Sequence, residues 1–218
     1  MNKNEKFVVT INREVGSGGR TVGCKLAEKL GVAFYDKAVI KALQEKFNLS
    51  VEEIERRKGG DQGWWSEIKR MVNLGPNGIN AARYFAPSED DDNELLTTDE
   101  MFKVEKDILQ NIAKEESCVI AGRSAFFVLK DHPNHLNILI QASLPFRVER
   151  MMRKQGLSRK AAEKTIEKVD KMRENYVKEY SGTSRYDTRN YNLVISADGN
   201  TEDEIVDLIL QYINNTSK

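Results

Sequence analysis

The residues best equipped for chemistry stand together at Gly16, Ser17, Gly18, Gly19, Arg20 and Thr21, with Arg13 just ahead of them. They follow a β-rich apolar run, Phe7 to Ile11, and precede a helical pattern in which Val22, Leu26 and Leu30 recur at helix spacing. A strand, a glycine-rich loop and a helix N-terminus make an anion site, because the loop amides and the helix dipole point at whatever sits above the turn. Laid on the phosphate-binding pattern G-x-x-x-x-G-K-[ST], the stretch puts Glu14 at the first glycine, Arg20 at the lysine and Thr21 at the hydroxyl that would ligate Mg²⁺. Arg20 keeps the positive charge and can fork onto two phosphate oxygens. Phosphate binding is preferred over a turn whose glycines serve only its shape.

Further cations follow apolar runs. Arg123 comes directly after the run Ser117 to Ala121, in Gly122-Arg123-Ser124. Arg147, Arg150 and Arg153 share a helix face at (i, i+3) spacing, with Arg173 on the next helix. Asp36 ends a short apolar run, Val32 to Tyr35. Phosphoryl transfer brings two anions together and must stabilise charge on the group in flight. A cradle of amides, a Mg²⁺ and several arginines meet that demand electrostatically. No Ser-His-Asp set, paired glycosidase carboxylates or zinc frame competes. His132 and His135, in H-P-N-H, read as a turn, and the acidic run Glu89 to Glu94 lacks the EF-hand frame and reads as a solvated loop. Cys24 and Cys118 form no C-x-x-C and read as small buried hydrophobes.

The elements that must position these groups alternate in type. Strands are expected at Phe7 to Ile11, Val32 to Tyr35, Ser117 to Ala121, Leu136 to Ala142 and Asn192 to Ser196. Between them, helices are expected after Gly19, over Lys37 to Asn48, after Ser50, from Thr98 or Asp99 to about Lys114, from Pro145 to Gly156, from Ser158 to Ser181, and after a Thr201/Glu204 capping box. The last helix is expected to face inward through Ile205, Leu208, Ile209 and Tyr212. This alternation argues for an α/β fold, a five-stranded parallel sheet sandwiched by helices. Ligands bind beyond the carboxyl ends of such strands, so the polar residues there should converge on one crevice. Residues 56–98, glycine-punctuated and carrying Trp64 and Trp65, read as an insert, and 145–190 as a lid region, within a single domain spanning 1–218. Lysine plus arginine equals aspartate plus glutamate at 34 each, so bulk charge favours neither nucleic acid nor an anionic membrane. No apolar run reaches membrane-span length and no signal-peptide core is visible, so cytoplasmic localisation is the expectation. Oligomeric state is not readable.

The chain resembles the cytidylate kinase-like family, a branch of the nucleoside monophosphate kinases, in the order and motifs of most of its length. Thr10-Ile-Asn-Arg-Glu-Val-Gly-Ser-Gly-Gly-Arg20 resembles that branch's divergent P-loop, and Leu30-Gly-Val-Ala-Phe-Tyr-Asp36 its second strand. Cys118-Val-Ile-Ala-Gly-Arg123 resembles the strand ending in G-R-D, with Ser124 in place of the aspartate. Ala142-Ser-Leu-Pro-Phe-Arg147, with Arg150, resembles the helix entering the lid, and Asp170-Lys-Met-Arg173 the D-x-x-R segment beyond it. The resemblance implies a P-loop NTPase-like fold and ATP-dependent, Mg²⁺-assisted phosphoryl transfer to a nucleoside monophosphate such as CMP or dCMP. In that reading Arg13 and the backbone from Gly16 to Thr21 hold ATP, and Thr21 touches Mg²⁺. Asp36, Arg123, Ser124 and Asp170 face the acceptor nucleotide. Arg20, Arg123, Arg147, Arg150, Arg153 and Arg173 serve catalysis. Two alternatives stay open: a kinase of a non-nucleotide small molecule, and a nucleotide sensor that has lost transfer.

Overall fold

In a computed structural model of the chain, the described residues are 1–36, 99–122 and 124–216. The expected helices over Lys37 to Asn48 and after Ser50, the 56–98 insert with its tryptophan pair and acidic run, and Arg123 lie outside them.

β1 (Val8–Arg13) is the central strand, flanked by β3 (Cys118–Ala121) and β4 (His135–Gln141). β2 (Ala33–Tyr35) and β5 (Leu193–Ser196) form the edges, and the order is β2-β3-β1-β4-β5, every pair parallel. β1 runs two residues past the expected Ile11, because Asn12 and Arg13 still pair with Leu139 and Ile140 of β4. That extension carries Arg13 to the carboxyl edge of the sheet, beside the glycine loop.

Alternation along β1 divides the core. Val8 packs with Tyr35, Ile108, Leu109, Ile112 and Ile120 beneath α2 (Asp99–Glu115) and the four-residue α3 (Ala125–Val128), a helix that the sequence pattern did not announce. Val9 and Ile11 face the opposite side and pack with Val22, Leu26, Ile138, Ile205 and Ile209, between α1 (Gly19–Leu30) and α6 (Glu202–Thr216). Full burial of each such aliphatic side chain contributes about 1.5–3 kcal/mol. A third cluster, Val148, Met151, Ala162 and Ile166, joins α4 (Leu144–Gln155) to α5 (Arg159–Ser181).

Local chemistry sets the helix ends. Pro145 lies in the first turn of α4, where a missing N–H costs nothing, and the Ser143 hydroxyl accepts from the Phe146 N–H at 3.4 Å. The Ser158 hydroxyl accepts likewise from Ala161 at 3.3 Å. The Thr201/Glu204 box is present, with Glu204 N–H donating to the Thr201 hydroxyl at 3.2 Å and Thr201 N–H to the Glu204 carboxylate at 2.7 Å. The inward face of α6 corrects the sequence reading: Val206 and Ile213 are buried with Ile205 and Ile209, whereas Leu208 is 47% exposed. Cys118 is buried as expected, but Cys24 is only half-buried. Among the described residues no helix is long and apolar enough to cross a membrane.

Candidate active site

The glycine loop leaves β1 and turns into α1 through two left-handed residues, Gly16 (φ 82°) and Gly18 (φ 87°). At Gly16 space as well as φ demands glycine, whereas at Gly18 the demand is mainly that of φ. A Cβ on Gly16 would meet the Arg147 carbonyl oxygen at 2.8 Å, and one on Gly18 would meet the Arg150 guanidinium at 3.3 Å. Ser17 closes the turn, its amide and hydroxyl both donating to the Glu14 carbonyl, at 3.3 and 3.0 Å. No side chain caps α1 at Gly18. Its first amides therefore point outward at the positive end of a 12-residue helix, as an anion site requires.

Around the loop the charged residues divide into two sets. Below it lies a buried network. Glu14 accepts from the Ala142 N–H at 3.0 Å and lies 3.8 Å from Arg147 Nε, so the residue at the first glycine position pins the loop to the end of β4. Arg147 Nη1 donates to Asp170 and, at 3.4 Å, to the Val15 carbonyl, while Asp170 accepts from the Val15 N–H at 3.1 Å. Arg147 and Asp170 thus support the loop from behind. Above it, Arg150 Nη2 donates to Glu202 at 2.7 Å and reaches the Thr21 hydroxyl at 3.4 Å. That bond holds the Glu202 carboxyl below its ordinary range. Arg20 Nε donates to Asp36 at 2.5 Å, tying the start of α1 to the end of β2. Arg153 is exposed on the last turn of α4.

Beside the loop a pocket opens at the carboxyl ends of β1 and β3, against α5. Arg13, Arg173, Arg185 and Ser124 line it, with Phe126 and Val177 as apolar wall. Arg13 joins loop to pocket. Its Cβ lies 2.6 Å from where a Gly19 Cβ would stand, and its guanidinium covers Gly122 so closely that a Cβ there would be 1.9 Å from Nη1. Ser124 caps α3 with φ 49°, the one non-glycine residue in the left-handed region among those described, and its hydroxyl is buried without a hydrogen-bond partner. Arg185 is fully buried, and burial together with the charge of Arg173 pushes its guanidinium pKa down. Its carbonyl accepts from the Tyr191 hydroxyl at 2.7 Å, which in turn accepts from Asn12 Nδ2. Burial pushes Tyr191 up to about 12.

The structure therefore brings Arg13, Ser124 and Arg173 together in one pocket, and Gly16, Ser17, Gly18, Gly19, Thr21 and Arg150 around the adjoining loop. Sequence reasoning assigned no site role to Arg185, Glu14 or Glu202. Arg185 sits in a basic, polar loop within the 145–190 region, and only its tertiary position sets it apart. Among the described residues no group of three or more His, Cys, Asp or Glu could hold a metal ion. A lone hydroxyl at Thr21 suits Mg²⁺, which takes few protein ligands and completes its shell with phosphate oxygens and water.

A model of the cytidylate kinase-like family matches residues 8–198. Among solved structures, an uncharacterized protein from Eubacterium ventriosum superposes with a TM-score of 0.67 at 25% identity, covering 96% of this chain and 99% of that one. A gluconokinase from Sinorhizobium meliloti (TM-score 0.51, 16% identity, 98% and 95% covered) shares the fold. So does a shikimate kinase from Acinetobacter baumannii in complex with shikimate (0.50, 16%, 98% and 96%). A curated uronate isomerase from Corynebacterium glutamicum is 34% identical over 106 residues, 49% of this chain, and the chain spans 20% of that protein's length.

Proposed function

The chain belongs to the cytidylate kinase-like family, and from that premise we propose an ATP-dependent phosphotransferase whose acceptor is a nucleoside monophosphate. The coarse activity that membership carries is that of a P-loop kinase. The observation that supports the finer reading is the adjacency of two phosphate-seeking surfaces across one side chain. Arg13 packs against Gly19 of the loop on one side and lines the arginine pocket on the other.

In this reading the amides from Gly16 to Thr21 hold the donor phosphates, and Arg150 swings from Glu202 onto them. Thr21 would hold Mg²⁺, which supplies charge neutralisation at the donor phosphates. Arg13 and Arg173 hold the acceptor beside the transferring group, with Arg123 assigned to it by the motif. Asp36 also faces the acceptor, Arg20 bridges it to the loop, and the 145–190 segment acts as lid. Catalysis rests on positioning and electrostatics, since an acceptor phosphate needs no separate base. A second reading, nucleotide binding without transfer, is favoured by the bond from Arg20 to Asp36, which turns the loop's own cation toward the acceptor side.

ADP release measured with ATP, Mg²⁺ and each nucleoside monophosphate separates the two. Turnover with CMP or dCMP is expected. ATP binding without turnover on any monophosphate would overturn the proposal and leave nucleotide binding without transfer or a kinase of a non-nucleotide small molecule.

A further inference from the structure

We propose that Arg185 is an anion-binding residue of the acceptor pocket, and that with Arg173, Arg13 and the Ser124 hydroxyl it selects a phosphate monoester over a carboxylate. The word acceptor rests on the phosphotransferase reading above, whereas the anion site rests on geometry alone.

Arg185 is 0% exposed, yet its donors are poorly used. Nη2 donates to the Arg13 carbonyl, and the main-chain N–H to Glu174 at 3.1 Å. Among the described residues, Nε and Nη1 have no hydrogen-bond partner. The nearest carboxylate, Asp170, stands 3.8 Å from Nη1, and its two oxygens already accept from Arg147 and Val15. A guanidinium stays charged in a protein, and a buried charge with unmet donors is expensive unless something completes it. The Tyr191 hydroxyl donates to the Arg185 carbonyl and fixes the backbone there, while the bond from Nη2 to the Arg13 carbonyl holds the guanidinium inward.

Ser124 supplies an independent sign. It belongs to a different segment, at the end of β3, and it too presents a buried polar group without a partner to the same pocket. A left-handed backbone at a residue other than glycine is an uncommon conformation that clusters at ligand sites. One oxyanion would accept from both orphans at once.

The charge of the pocket indicates which oxyanion. Three guanidinium groups line it, and among the described residues no aspartate or glutamate does. Arg173 lies close enough to Arg185 to repel it, and an anion between them would relieve that repulsion. A carboxylate brings one charge and two oxygens. A phosphate monoester brings a charge near −2 and three terminal oxygens, matching donors that arrive from β1, α5 and the segment after α5.

Calorimetric titration of the full-length protein with inorganic phosphate, and with acetate at equal ionic strength, tests the site. An ATP analogue titrated into the same preparations reports on the loop. Wild-type protein should bind phosphate at least about tenfold more tightly than acetate. Arg185→Met should weaken phosphate about tenfold or more, and Ser124→Ala and Arg173→Gln several-fold, with ATP-analogue affinity retained. Equal affinity for acetate and phosphate would overturn the proposal, as would phosphate affinity unmoved by Ser124→Ala and Arg173→Gln. Those two variants decide the matter if Arg185→Met does not fold by circular dichroism. Phosphate binding lost as expected, in a protein that turns over no monophosphate, keeps this site and removes the nucleoside-monophosphate acceptor. Turnover with phosphate binding indifferent to all three variants does the reverse.

Discussion

Arg147 and Arg150 stand one turn apart on α4, and the sequence gives them the same spacing and charge. Their burial separates them. Arg147 is 9% exposed and bound to Asp170 and Val15, so it supports the loop, whereas Arg150 reaches over the loop to Thr21. Such a difference is decided by what packs against each side chain, which (i, i+3) spacing does not encode. Arg185 makes the same point more strongly: nothing in its neighbourhood of polar residues marks it for burial. The glycines of the loop were legible because φ and close contact leave no other residue type. His135 shows a residue whose surroundings set its titration. The Thr10 hydroxyl donates to Asn137 Oδ1 at 2.7 Å, so His135 Nε2, 2.7 Å from that same oxygen, is the donor to it. Burial, then the charge of His132, pushes His135 down to about 4. The unfolded chain takes up this proton near pH 6.5, and the folded protein resists it until about 4. The contribution is complete above pH 6.5 and is lost as pH falls toward 4, by up to about 3 kcal/mol. Urea unfolding at pH 7.5 and pH 5 should show wild-type losing about 2 kcal/mol from this source, a loss absent in His135→Gln. Identical pH dependence in the two proteins would contradict it.

At the scale of elements, helices and strands were readable from periodicity and punctuation, and the parallel sheet followed from their alternation. Strand order was not, because the strands are short and largely apolar, and the polar positions on β1 and β4 do not by themselves select a neighbour. The buried face of α6 was misjudged for a related reason: Ile205, Val206, Leu208 and Ile209 are all apolar, and only packing against α1 and the sheet selects among them. The loop-to-α4 contact is the tightest test of how elements position the site. A methyl group on Gly16 meets the α4 backbone at 2.8 Å in a conformation that already disfavours it. Gly16→Ala should therefore cost about 2 kcal/mol or more in thermal unfolding and weaken ATP binding as well. Wild-type stability together with wild-type ATP affinity would mean that α4 does not clamp the loop.

Across the whole molecule, a net charge of zero conceals segregation. Exposed pairs such as Lys25–Asp203 and Lys29–Asp207, at 2.7 Å each, link α1 to α6 at the surface, where such bridges contribute little. Positive charge gathers instead at the carboxyl ends of β1 and β3, where among the described residues no carboxylate lines the pocket. Net charge in the sequence excluded bulk attraction to polyanions, and the local concentration became visible only when the parallel sheet brought β1, β3 and α5 to one edge. The loop and the arginine pocket adjoin across Arg13, and in the proposed reaction they hold the two phosphates between which transfer occurs. A bisubstrate ligand, adenosine and cytidine joined through five phosphates, tests this directly by calorimetry against ATP. Simultaneous occupation should make it bind about 100-fold more tightly than ATP, because the second contact becomes intramolecular. Affinity no greater than that of ATP would show that the two surfaces do not act on one reaction.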